Sequence, residues 1–85
     1  MKSYRNQAFK KLFVRLPLHV QEQTKIAFKF FKNDPYHPSL HFKCINRQKQ
    51  TYSVRIGRGY RAVGRKENDT IVWYWIGPHA SYDHL

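Results

Sequence analysis

Residues 52–79, YSVRIGRGYRAVGRKENDTIVWYWIGPH, contain the pattern that decides the fold. Apolar and polar residues alternate at first, as in a strand with one buried face. Glycines in the Gly57-Arg58-Gly59 break tolerate a chain reversal, and the polar residues 66–69 supply a second one. The last run is apolar or aromatic on both faces, as in an interior strand. Three antiparallel strands are therefore predicted, at residues 52–56, 60–65 and 70–76.

The register of the first hairpin places two arginines opposite each other. Only a pairing of Val54 with Ala62, and of Ile56 with Tyr60, keeps the apolar side chains on one face. The same pairing sets Arg55 against Arg61 on the other face. Like charges directly opposite each other destabilise a sheet by about 0.2–1 kcal/mol. A strand pair that tolerates this repulsion is therefore expected to bind an anion. The alternative is that both side chains are simply solvated.

The length and the cysteine content indicate a single small domain in a reducing compartment. The 85 residues predict one domain, residues 1–85, whose core relies on six Phe, six Tyr and two Trp. With Cys44 as the only cysteine, neither an intrachain disulfide nor a cysteine-based zinc cluster can form. We expect Cys44 to be a small buried apolar residue. No signal-peptide pattern or membrane-spanning run is present, so a cytoplasmic location is expected.

The charge balance indicates a polyanionic partner. Sixteen Lys and Arg against five Asp and Glu give a formal net charge of +11, which concentrates polyanions around the protein. Nucleic acid is the first candidate and an acidic protein the second, and the two are compatible. A membrane surface is third, because no segment combines a basic face with a clean apolar face.

The N-terminal half predicts two helices and one more strand. Helical spacing covers residues 4–16 and, after Pro17, residues 18–32, so an antiparallel helical hairpin is expected to pack on the sheet. Residues 1–3 are expected to be frayed or to form a short edge strand. A turn-rich connector precedes a strand at residues 40–45, and residues 46–51 are a polar loop. The predicted fold class is α+β, with a twisted antiparallel sheet of about four strands.

The candidate chemistry lies just after the last strand. Gly77-Pro78 fixes His79 at the strand end, and Tyr82 follows three residues later. Cleavage of RNA by its own 2′-hydroxyl needs a proton acceptor, a proton donor and cations near the phosphate. His79 is a candidate for either proton role and Tyr82 for the donor, with Arg55 and Arg61 as the cations. The alternative is that His79 only caps the strand and Tyr82 fills the edge of the core. Neither a phosphate-binding loop nor a metal motif is present, so no cofactor or metal is expected.

Three segments together resemble the RelE/ParE superfamily of bacterial toxins from type II toxin–antitoxin systems. They are FKNDPYHPSLHFK at residues 31–43, YSVRIGRGYRAVGRK at 52–66 and NDTIVWYWIGPHASYDHL at 68–85. Their order also matches, with a helical hairpin, a strand, and a three-stranded meander that ends in His-x-x-Tyr. The tail reads His79-Ala80-Ser81-Tyr82, whereas many relatives have an acidic residue after the histidine.

The resemblance implies a fold, an activity and partners. Many members are metal-independent endoribonucleases that cut mRNA, commonly on the ribosome, and so inhibit translation; members of the ParE branch inhibit DNA gyrase instead. Each member has a cognate antitoxin, an acidic or amphipathic protein segment that covers the basic face. The catalytic roles of the family fall here on His79, Tyr82, Arg61 and Arg55. The RNA-binding residues expected around them are Lys43, Arg58, Arg65 and His41.

Overall fold

The computed structural model describes residues 1–82, which form a five-stranded sheet with two helices on one face. The strands are β1 (Lys2–Arg5), β2 (Lys43–Asn46), β3 (Thr51–Ile56), β4 (Tyr60–Glu67) and β5 (Thr70–Pro78). The helices are α1 (Gln7–Phe13), α2 (Leu18–Asn33) and the short α3 (His79–Tyr82), and Pro38–Leu40 is a 3-10 turn. The strand order is β1-β5-β4-β3-β2.

The α+β class and the helical hairpin were predicted correctly, but the sheet has one strand more than expected. Residues 2–5 form the edge strand β1, which pairs in parallel with β5, so the sheet is mixed rather than antiparallel. The pairing joins residues almost a whole chain length apart, for example Lys2 with Thr70. A four-residue strand with such a distant partner leaves little local pattern in the sequence.

The first helix begins later than its helical spacing suggested. Asn6 caps α1, because its Oδ1 accepts a hydrogen bond from the backbone N–H of Phe9 over 3.0 Å. The second helix is bounded nearly as predicted, with Pro17 in the N-cap position and Asn33 as the last helical residue. Proline suits the start of a helix because the first backbone N–H groups have no partner within the helix.

The core lies between the helices and one face of the sheet, which we call the helix face. Its aromatic centre is Trp73, fully buried on β5, with ring centroids 5.3 Å from Phe28 and 5.5 Å from Phe31. On β3 and β4 the core side chains of Val54, Ile56 and Ala62 lie at alternating positions, as predicted. The buried residues of this cluster are Phe9, Val20, Ala27, Phe31, Leu40, Val54, Ile56, Ala62, Ile71, Trp73 and Ile76.

The strand predicted at residues 40–45 is shorter, and the prediction for Cys44 is wrong. The chain makes a 3-10 turn through Leu40 and a left-handed step at His41 (φ 46°) before β2 begins at Lys43. Because β2 is an edge strand, all four of its residues are exposed, and Cys44 is an exposed free thiol. Partial burial, together with the neighbouring Cys44, raises the pKa of the Tyr52 phenol.

A β-bulge divides β5 into two halves. Val63 pairs with Trp75 while the next residue, Gly64, pairs with Trp73, so Tyr74 is the extra residue. The bulge brings both Trp73 and Ile76 to the helix face, which strict alternation would not allow. It also leaves Tyr74 and Trp75 on the opposite face of the sheet, which we call the open face.

None of the helices in residues 1–82 has the length and apolar character of a membrane span.

Candidate functional site

The open face holds the arginine pair that the hairpin register predicted. The observed pairing joins Val54 with Ala62, Ile56 with Tyr60, and Arg55 with Arg61. Because Val54 and Ala62 point into the core, their strand neighbours Arg55 and Arg61 point to the other face of the sheet. Two guanidinium groups thus share the side of the sheet that α1 and α2 leave uncovered.

The arginine pair lies in a cleft that brings together most of the predicted site. The cleft has a volume of about 300 Å³ and is open to solvent. Its walls come from the 3-10 turn, the β3–β4 hairpin and the start of α3, which are far apart in sequence. The residues that line it are His41, Arg55, Arg58, Tyr60, Arg61 and His79.

Arg61 is the most unusual side chain of the cleft, because it is a buried cation. It is only 8% exposed, and arginine is almost never so buried unless it is paired. Its Nη1 makes one long hydrogen bond, 3.5 Å, to Ser53 Oγ, and its guanidinium carbon lies 5.4 Å from the centre of the Tyr82 ring. Within residues 1–82, no group accepts a hydrogen bond from its Nε. This geometry suits an anion that would satisfy the remaining donors.

Arg55 is held by the turn that follows its own strand, and this turn requires glycine. Its Nε donates a hydrogen bond to the carbonyl oxygen of Gly57 over 2.9 Å. Gly57 has a φ of +56°, and a Cβ there would clash with the side-chain oxygen of Gln23 on α2. Glycine allows the chain to bend over the helix, and the resulting turn holds Arg55 in place.

His79 and Tyr82 are placed at the rim of the cleft by α3. The backbone N–H of His79 donates to the carbonyl oxygen of Gly59 over 2.8 Å, which ties the end of β5 to the β3–β4 turn. The two rings stand edge to face with centroids 5.5 Å apart. The Tyr82 hydroxyl lies 3.3 Å from Ser53 Oγ, so Ser53 contacts both Tyr82 and Arg61. The side chain of His79 is exposed, while Tyr82 is half-buried.

The four predicted RNA-binding residues do not all lie together. His41 and Arg58 line the cleft. Lys43 pairs with Ser53 across β2 and β3, which places it on the open face beside the cleft. Arg65, expected near the same patch as Arg58, lies instead in a separate groove farther along β4, because it comes four positions after Arg61 in the strand.

Sequence reasoning missed several residues around the arginine pair. Ser53 anchors both Arg61 and Tyr82, and Tyr60 forms one wall of the cleft. Gly77 pairs with Arg61, and a Cβ there would lie 2.7 Å from the Trp75 ring, so the indole covers this glycine. A signal for Gly77 existed in the sequence, since glycine inside a strand often marks close contact with a ring or a ligand. The position of Trp75 depends on the bulge and had no such signal.

The sequence and the fold match a known class of small toxins. A sequence model of the ParE-like toxin domain matches residues 18–84, which is more than half of the chain. The chain therefore belongs to the ParE-like toxin family, and it is a toxin of the type II toxin–antitoxin class, as the resemblance to the RelE/ParE superfamily implied. No curated protein matches its sequence.

Solved structures show the same fold at low sequence identity. The RelB–RelE antitoxin–toxin complex from Methanococcus jannaschii contains a chain that is 23% identical, with a TM-score of 0.75 over 96% of this chain and 98% of that one. The YoeB/ParE toxin from Agrobacterium tumefaciens is 15% identical, with a TM-score of 0.71 over 93% and 99%. The RelBE2 toxin–antitoxin complex from Mycobacterium tuberculosis contains a chain that is 20% identical, with a TM-score of 0.70 over 91% and 88%.

Proposed function

We propose that this toxin is a metal-independent endoribonuclease that cleaves mRNA through the 2′-hydroxyl of the RNA itself. The observation that carries the proposal is the buried guanidinium of Arg61, which has an unsatisfied donor and shares its cleft with the imidazole of His79. A phosphodiester supplies the anion that such a cation lacks. Imidazole supplies proton transfer near neutral pH.

The reaction requires one displacement at phosphorus. The 2′-oxygen attacks the adjacent phosphorus as its proton passes to a base, and the bond to the 5′-oxygen breaks as that oxygen gains a proton. The products are a 2′,3′-cyclic phosphate and a free 5′-hydroxyl. Charge gathers on the non-bridging oxygens in the transition state, where Arg55 and Arg61 hold it. His79 acts as the acid or the base, and Tyr82 donates a proton or fixes the geometry around the phosphate.

The basic open face also suits the proposed partners. We propose that Lys43, His41 and Arg58 guide mRNA to the cleft, in the cytoplasm and on the ribosome. A cognate antitoxin would neutralise the same face with an acidic or amphipathic segment. Two of the similar structures are antitoxin–toxin complexes, which supports a protein partner of this kind.

The test is a cleavage assay without magnesium on mRNA that is being translated. His79→Ala and Arg61→Ala are each expected to lower the cutting rate by about 100-fold or more, the usual scale for a lost proton-transfer or charge-stabilising group. The matched controls are His19→Ala and Arg15→Ala, which remove exposed side chains outside the cleft and should cut at the wild-type rate. Circular dichroism of each variant checks that it is folded. Losses under about threefold at both cleft positions would refute the assignment.

A non-enzymatic inhibitor of DNA gyrase is the second candidate, because the matching family model is that of ParE-like toxins. The same variants separate the two. If His79→Ala arrests growth as strongly as the wild type while cellular RNA stays intact, the toxin acts as an inhibitor and not as a nuclease.

A further inference from the structure

The open face carries a second basic site, which the proposed chemistry does not use. This groove has a volume of about 460 Å³, larger than the cleft that holds His79. It is lined by Asn6, Lys49, Thr51, Arg65, Val72 and Tyr74, and we call it the lateral groove. A smaller pocket of about 160 Å³ shares Lys49, Thr51 and Tyr74 with it and extends it towards β2.

The lateral groove and the cleft are built on two parallel rows of the same sheet. Arg65 pairs with Thr51 on one side and with Val72 on the other, just as Arg61 pairs with Arg55 and Gly77. The two rows are four positions apart along the strand, which is about 13 Å at roughly 3.3 Å per residue. A single strand of a few nucleotides spans that distance. Tyr82 lies between the rows, because its hydroxyl is next to Ser53.

The bulge in β5 directs one aromatic ring towards each site. Tyr74 and Trp75 are consecutive, yet both lie on the open face. The indole of Trp75 covers Gly77 beside the cleft, whereas Tyr74 lines the lateral groove and is 37% exposed. Bulges often occur next to functional sites, where they redirect a side chain.

The cations of the groove are held by ordered backbone. Asn46 Oδ1 accepts a hydrogen bond from the N–H of Lys49 over 3.1 Å, and the carbonyl oxygen of Gln50 accepts one from the N–H of Lys66 over 2.8 Å. The turn that carries Lys49 is thus tied to β2 and to β4. Lys49 and Arg65 are both exposed, and among residues 1–82 neither makes a salt bridge.

We infer that the lateral groove binds single-stranded RNA beyond the scissile phosphate, with a base stacked on Tyr74 and phosphates held by Lys49 and Arg65. The inference rests on the proposed function, because it extends the substrate path of the cleft. Exposed aromatic rings between cations are the usual platform for single-stranded nucleic acid. An acidic peptide would need the cations but has no use for the ring, so the chemistry of the groove favours RNA.

The test compares short and long RNA that cannot be cleaved. A 2′-fluoro trinucleotide and a 2′-fluoro RNA of about nine nucleotides are titrated by fluorescence anisotropy; on the scale of base stacking, Tyr74→Ala should weaken binding of the longer RNA about tenfold. Binding of the trinucleotide should stay within about twofold, and Tyr74→Phe should bind like the wild type because it keeps the ring. Arg65→Ala should also reduce the slope of log K against log salt by about 0.7.

Matched controls and a second ligand make the result decisive. Tyr36→Ala and Lys29→Ala remove an exposed ring and an exposed cation far from the groove and should leave both affinities unchanged. Equal binding of the longer RNA by wild type, Tyr74→Ala and Arg65→Ala would overturn the inference. The inference would also be overturned if Tyr74→Ala and Arg65→Ala weakened binding of a polyglutamate peptide but left RNA binding unchanged, because the groove would then be a peptide site.

The outcomes also separate this inference from the nuclease proposal. If the groove variants lose the longer RNA but the wild type cuts no mRNA, the groove binds RNA and the nuclease proposal fails. If the wild type cuts mRNA and the groove variants bind the longer RNA normally, the nuclease proposal stands and the groove has another role.

Discussion

The two faces of the sheet differ in how their buried groups are satisfied. On the helix face, Trp73 is fully buried among aromatic rings, and its Nε1 donates a 2.8 Å hydrogen bond to Ser3 Oγ. On the open face, Arg61 is almost as buried, but it has one long hydrogen bond and an Nε without an acceptor in residues 1–82. Within residues 1–82, the buried indole on the helix face is hydrogen-bonded, whereas the buried guanidinium on the open face keeps an unsatisfied donor. The comparison shows that the packed aromatic core and the poorly paired cation lie on opposite sides of one thin sheet.

The largest expected effect is on the helix face. Trp73→Ala removes the ring that Phe28 and Phe31 pack against and should lower the free energy of unfolding by about 3–5 kcal/mol. Trp75 lies on the open face and is only half-buried. Trp75→Ala should therefore lower the free energy of unfolding by about 1–2 kcal/mol, because it removes less buried apolar area than Trp73→Ala does. Urea denaturation followed by circular dichroism measures both. Equal losses would show that the two faces contribute equally to stability.

A smaller effect is expected where the two faces meet. Gly57→Ala introduces a Cβ at a positive φ and against Gln23, so it should destabilise the protein by about 1–2 kcal/mol and displace Arg55. Gly59→Ala is the matched control, since a Cβ there would meet nothing within 4 Å. Thermal unfolding reports the stability. A stable Gly57→Ala protein would mean that the turn is not held against α2.

The smallest effect is predicted to have the opposite sign. Arg61→Met replaces a buried, poorly paired cation with an apolar side chain of similar length and should stabilise the protein by about 1 kcal/mol, because functional sites often reduce stability. Sulfate should raise the melting temperature of the wild type more than that of Arg61→Met, since it supplies the missing anion. A clear loss of stability in this variant would show that Arg61 is a structural residue.

The sequence predicted the parts of the site that depend on strand alternation. The pairing of Arg55 with Arg61 followed from keeping Val54 and Ala62 on one face, and the structure confirms it. The same reasoning could not detect the bulge at Tyr74. The last strand is apolar on both faces, so it shows no alternation of apolar and polar residues that a bulge would interrupt. It also misjudged Cys44, since nothing local indicates that β2 is an edge strand. The catalytic and RNA-binding roles remain predictions.

The sequence alone determined the charge, the order of the helices and strands from α1 to β5, and the register of the central hairpin, because each follows from composition or from a local period. Only the tertiary structure decided which distant segments meet. It brought His41 and His79 to the same cleft as the arginines, moved Arg65 into a groove of its own, and closed the sheet with β1. These contacts join residues far apart in the chain, and they form because burial of the apolar helix face packs together segments that no local sequence period relates.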